Sequence, residues 1–163
     1  MSAGMTAEIT VAPLPDNDPA HVEHLSLPPE QHQFSDPPAA AMRAATAPRD
    51  GHMILEGDDI VGFFAIDPLY AAAHDFAQDG AIGVRMFSID QRAQGRGIAS
   101  RACQQLRSYL AAQYPQVARV YLTVNHRNPA ARAAYLHGGF IDEGHDYLGG
   151  GAGPQHILHL DLR

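Results

Sequence analysis

Two glycines one residue apart, Gly95 and Gly97, lie between an apolar run from Ala81 to Asp90 and an amphipathic stretch from Ser100 to Gln113. A strand that runs through such a loop straight into a helix leaves the first N–H groups of that helix without acceptors. Glycine adds no Cβ to hold a ligand off the backbone, so the junction is suited to an anion, and a pyrophosphate is its natural guest. Arg92 and Arg96 flank the loop and either add charge to such a site or stay solvated. The plainer alternative is an ordinary strand–turn–helix junction in which the glycines merely permit the turn. A Walker loop is excluded, because no lysine precedes a serine or threonine here. A dinucleotide fingerprint is excluded too, since no third glycine follows at the required spacing.

A second block lies downstream: Asn128, Pro129, Ala131, Tyr135, Gly139 and Phe140, at another strand-to-helix junction. Together with the loop Gln94-Gly-Arg-Gly-Ile-Ala99, it resembles the paired signatures of the GCN5-related N-acetyltransferases, the GNAT family. Residues 52–146 carry the likeness well, whereas residues 1–50 share only the general architecture of the family's N-terminal part. The resemblance implies a GNAT fold over residues 1–163: an α/β protein with a mixed, mostly antiparallel sheet of six or seven strands and about four helices. It implies acetyl-CoA as cosubstrate and direct transfer of the acetyl group to a primary amine. Gln94, Gly95, Arg96, Gly97, Ile98, Ala99 and Ser100 match the residues that hold the pyrophosphate, and Phe87, Ser88 and Ile89 match the strand that holds the pantetheine arm. Tyr135 matches the phenol that protonates or hydrogen-bonds the departing thiolate. Asn128 matches a residue that contacts the CoA arm or positions the helix, and it also reads as the N-cap before Pro129.

Each of these residues has a plainer role open to it. Tyr135 on an alanine-rich helix could be core filling, and Cys103 reads as a small buried apolar side chain that direct transfer does not need. Arg85, inside an apolar strand, needs a partner, either an acid at the acceptor site or solvent on an exposed face. The general base is open among Glu56, Asp75, Asp79, His52, His74 and a water chain. The acceptor is open as well. The stretch from Leu25 to Phe34, with Val61 to Ile66, resembles the spermine/spermidine-type branch, for which Glu30, Asp36, Asp75 and Asp79 could form an acidic groove. Amino acids, aminoglycosides and a protein N-terminus are the other acceptors. A noncatalytic acyl-CoA sensor on the same fold, and an unrelated phosphate-binding domain, are the rival classes.

The elements that must position these groups follow from periodicity. Alternation predicts strands at Glu8 to Ala12, His52 to Glu56, Ile60 to Ile66, Ala81 to Asp90, Val117 to Val124, Phe140 to Asp146 and His156 to Leu162. Gly57, Asp58 and Asp59 mark a hairpin turn. Helices are expected from Asp16 to Leu25, from a cap at Asp36 to Ala47, from Ser100 to Gln113 and from Asn128 to His137, the last stopped by Gly138 and Gly139. Residues 1–7 read as a flexible N-terminus and 68–80 as a long exposed loop.

Composition limits the partners. At 163 residues, 45% hydrophobic and 18% charged, the chain suits one globular domain. Its 11 cations are all arginine, against 18 acids, so there is no lysine to form a Schiff base, and the net charge of −7 disfavours nucleic acid. No apolar stretch is long enough to cross a membrane. The lone cysteine and the absence of a leader pattern predict a cytoplasmic protein. His156 and His159 point to opposite strand faces, so no metal is expected. A homodimer is possible only by analogy with the family.

Overall fold

A computed structural model describes residues 7–32, 36–150 and 153–163. Seven strands form one sheet: β1 (Ile9–Pro13), β2 (Asp50–Glu56), β3 (Asp59–Asp67), β4 (Ile82–Ile89), β5 (Arg119–Asn125), β6 (Ile141–Tyr147) and β7 (Gln155–Asp161). Four helices accompany them: α1 (Pro38–Ala44), α2 (Tyr70–Ala73), α3 (Ile98–Gln113) and α4 (Pro129–His137). The strand order is β1-β2-β3-β4-β5-β7-β6, antiparallel throughout except for the parallel β4–β5 pair. That is the mixed, mostly antiparallel α/β architecture expected from the sequence.

Alternation decides what each face of the sheet buries. Ile54, Phe64, Ile66, Ile82, Val84, Val120, Leu122 and Val124 point to one face and pack against Ala102, Cys103, Leu106 and Leu110 of α3. Those four helix positions recur every three or four residues, and Pro115 follows the helix end. Cys103 is fully buried, and desolvation pushes its thiol up to about 12, so it is a packing residue without nucleophilic character at neutral pH. The α4 helix lies close against α3 at Gly138, where an added Cβ would come within 2.6 Å of the Cys103 carbonyl oxygen. The opposite face of the sheet carries two smaller clusters, one around Val22, Leu25, Phe63 and Ala65, the other around Tyr70, Tyr121 and Ile157.

Two local expectations fail and a third holds only in part, for identifiable reasons. The segment Asp16 to Leu25 is two 3₁₀ turns, Pro15–Asn17 and Pro19–Val22, because Asp16 and Asn17 adopt positive φ (53° and 52°) and interrupt any helix. Asp18 does cap the second turn, accepting the N–H of Ala20 at 2.9 Å. The cap position of α1 is Pro37 rather than Asp36, and no side chain caps that helix. Residues 68–80 are only in part the exposed loop expected: Leu69, Asp75 and residues 78–80 are exposed, but Tyr70–Ala73 form α2 and bury Tyr70, which is 1% exposed, in the space that Gly83 leaves on β4. A side chain at position 83 would overlap the Tyr70 ring carbons. The expected flexible N-terminus, save Ala7, lies outside the described residues.

His52 lies deep on the α3 face. Its ring stacks on Phe64 (5.0 Å) and meets the hydroxyls of Tyr109 (2.6 Å) and Tyr114 (3.1 Å). Burial drives its pKa down from 6.5 to about 4, partly offset by Asp50. An unfolded chain therefore takes up this proton first as pH falls, and the folded state loses stability between about pH 6.5 and 4. The size of the effect is at most about 3.5 kcal/mol. His52→Gln is expected to flatten the fall in urea midpoint between pH 7 and pH 4.5 relative to wild type. Equal falls in both proteins would show that His52 contributes nothing to acid sensitivity.

Candidate active site

The site is made by strands that part. The parallel β4–β5 ladder holds only at Ile82 with Val120 and Gly83 with Tyr121; beyond it β4 runs on to Ile89 and β5 to Asn125 without further pairing. Between them opens a cleft of about 510 Å³, lined by both strands and by the N-terminal ends of α3 and α4. Backbone groups on the facing edges of the two strands are left for a ligand.

A bulge in β4 aims its side chains. Against β3, Ser88 pairs with Phe63 and Arg85 with Ala65, so three steps on β4 match two on β3. Met86 takes the strain at φ 60°. As a result, the consecutive residues Arg85 and Met86 both turn to the face of Asp67 and Ala65, while Phe87 and Ile89 turn to the α3 face. Phe87 stacks on Phe64 (5.9 Å) and meets Tyr135 edge-on (5.5 Å). Phe87, Ser88 and Ile89 all line the cleft, and Ser88 donates weakly to the Met86 carbonyl (3.4 Å).

The glycine loop closes one end. Gly95 (φ 82°) and Gly97 (φ 73°) are left-handed, and a Cβ at either would meet nothing within 4 Å. The first N–H bonded within α3 is that of Arg101, to the Gly97 carbonyl at 3.1 Å, which leaves Ile98, Ala99 and Ser100 without intrahelical acceptors. Gln94, Gly95, Gly97, Ile98, Ala99 and Ser100 line the cleft. Gln94 anchors the loop by donating to the Ile89 carbonyl (2.9 Å) and exchanging amide bonds with Gln31 (3.0 Å each way). Arg96 turns away: its guanidinium pairs with Glu56 at 3.0 Å, and it does not line the cleft. Arg92 is likewise engaged, with Asp90 at 3.0 Å.

The α4 helix supplies the far wall. Asn128 caps it, accepting from Ala131 N–H at 3.4 Å, and it lines the cleft as well. Tyr135, 8% exposed, also lines the cleft, and its hydroxyl makes no hydrogen bond to any described residue. Burial, with a smaller contribution from Cys103, raises its pKa above the ordinary phenol value, so it stays protonated at neutral pH.

The candidate bases lie elsewhere. Glu56 is ion-paired with Arg96, His52 is buried between tyrosines on the α3 face, and Asp75 and Asp79 are exposed outside the cleft. His74 stacks on Tyr70 at 4.1 Å but does not line the cleft. Among the described residues, Arg85 is the one charged side chain that does line it. A cluster the spacing did not reveal is His126, Asp146 and His156, whose ligand atoms lie within 4.8 Å of one another. The imidazoles of His126 and His156 stack at 3.8 Å and 10°, so an ion in the plane of one ring lies outside the plane of the other.

The comparisons with known proteins agree with the fold. The chain is 25% identical over 158 residues to the uncharacterized N-acetyltransferase YbbJ of Bacillus subtilis (strain 168), covering 95% of this chain and 98% of that protein. Its fold is similar to that of the aminoglycoside acetyltransferase AAC(6')-Ib solved with coenzyme A, with a TM-score of 0.72 at 15% identity over 94% of this chain and 95% of that one. The spermidine N-acetyltransferase of Vibrio cholerae, solved with CoA and spermine, gives a TM-score of 0.66 at 16% identity over 94% and 95%. The model of the acetyltransferase (GNAT) family matches residues 19–140, three quarters of the chain, and the protein belongs to that family.

Proposed function

We propose that this protein transfers the acetyl group of acetyl-CoA to a primary amine on a small molecule by direct attack. The observation that carries this reading is the glycine loop. Left-handed Gly95 and Gly97 lead into unpaired helix amides that open on the same cleft as the Tyr135 hydroxyl. A diphosphate on the N–H groups of residues 94 to 100 is held far from the reacting carbon, so its binding energy serves orientation. Unpaired edges of β4 and β5 then take the amides of the pantetheine arm, beside Phe87, Ser88 and Ile89. Acetyl-CoA supplies an activated acyl carbon. The amine nitrogen bonds to that carbon, the carbon–sulfur bond breaks, and the sulfur takes the electron pair, with the Tyr135 hydroxyl donating to it. The proton lost by the amine leaves through water, since no described cleft residue is a carboxylate or an imidazole.

Calorimetry of the folded protein with CoA is expected to show one site binding at tens of micromolar or tighter. Absence of heat at those concentrations removes the reading. The absence of a carboxylate or imidazole among the described cleft residues also favours a second reading, a binding module that senses acyl-CoA without turning it over. Release of free thiol from acetyl-CoA across a panel of amines separates the two: catalysis gives thiol in proportion to amide formed, and a sensor gives none.

A further inference from the structure

At the end of the cleft away from the glycine loop, three charged side chains meet. Asp67 of β3 is buried, its carboxylate only 5% exposed, and it is fully engaged. One oxygen accepts the N–H of Leu69 at 2.9 Å; the other takes Arg85 Nε at 2.8 Å and lies 3.5 Å from Arg49 Nη1. Two guanidiniums on one carboxylate leave a surplus of one positive charge. His74 adds none, because desolvation lowers its pKa. The Nε of Arg49 is buried with no hydrogen-bond partner, so this cation is held in place by its surroundings rather than matched by a second acid.

Arg85 is presented for use. It is tethered through Nε alone, its guanidinium carbon sits 5.0 Å from the centroid of the Tyr70 ring, and its side chain is 30% exposed and lines the cleft. Neither terminal nitrogen of the fork bonds to a described residue. A guanidinium fixed at Nε and backed by an aromatic ring offers its two outer N–H groups in the geometry that a carboxylate accepts bidentately. A polycation would meet the opposite of what it needs: the cleft has no acidic lining among the described residues, and its one charge repels.

Resting on the acetyl-transfer reading, we infer that the acceptor is an amino carboxylate, of which an α-amino acid is the simplest, with its carboxylate on the fork of Arg85 and its amine toward the thioester. The single surplus charge suits a monoanion. A phosphate dianion would leave one negative charge unmatched.

The test compares matched acceptors by thiol release at fixed pH: free α-amino acids, the corresponding amino acid amides, and spermidine. At least one free amino acid is expected to exceed its own amide and spermidine by ten-fold or more in kcat/KM. The Arg85→Gln variant should raise KM for that amino acid by about 10- to 100-fold, the range for a lost charge-assisted pair, while KM for acetyl-CoA changes less than three-fold. An amide or spermidine that serves as well as, or better than, every free amino acid overturns the inference and leaves acetyl transfer standing. No thiol release with any of these amines overturns both. The wild-type comparison is decisive by itself if Arg85→Gln fails to fold.

Discussion

Gly97→Val is expected to abolish measurable CoA binding, a loss of at least 100-fold in affinity, in a protein that still folds. Two effects act together. At φ 73° a side chain is strained by roughly 1–2 kcal/mol, and a β-branched one by more. The new methyl groups also project into open space, where nothing now lies within 4 Å, so they occupy the volume a diphosphate needs beside the amides of Ile98 and Ala99. Strain alone should lower the melting temperature by only a few degrees, at about 2–4 °C per kcal/mol for a chain of this size. Gly80→Val is the control, since Gly80 has a similar φ of 78°, is equally open, and lies outside the cleft. Calorimetry should find CoA binding lost in the first variant and kept in the second. Affinity within three-fold of wild type in Gly97→Val would place the diphosphate elsewhere.

Tyr135→Phe should lower kcat by about 100-fold, at the lower end of what a positioned acid contributes, with little change in the dissociation constant for acetyl-CoA. The ring's packing against Phe87 and Phe140, at 5.5 and 5.8 Å, survives in phenylalanine. What is lost is a hydroxyl that has no described protein partner to leave unpaired, so stability should stay within about 1 kcal/mol of wild type. Rate loss without affinity loss is the signature of a group that acts only as the carbon–sulfur bond breaks. A kcat within two-fold of wild type would leave Tyr135 as core filling.

The order of strands and helices was legible because period-two and period-three-to-four patterns are set locally, as in Val120, Leu122 and Val124 on one face of β5. The glycine loop and the Asn128 cap were legible for the same reason, each being a junction fixed by neighbours in the chain. Other features depend on residues distant in sequence. Gly83 looks like a weak point in a strand until Tyr70, 13 positions earlier, fills the space above it. The bulge at Met86 breaks the alternation that periodicity assumes, and it brings Arg85 to Asp67. The likeness to the spermine/spermidine-type branch suggested an acidic groove, yet the loops that carry Asp75 and Asp79 fold away from the site, and the described walls of the cleft carry no negative charge. The stacked His126 and His156 meet only after β5 pairs with β7.

The two-residue seam between β4 and β5 has a kinetic consequence. Each half of the sheet is laced internally, while backbone amides on the facing edges beyond Gly83 and Tyr121 have no partner across the gap. In deuterated water those edge amides, between Val84 and Ile89 and between Leu122 and Asn125, should exchange far faster than their neighbours on the laced sides. A pantetheine chain bridging the gap would slow them, recording its passage residue by residue.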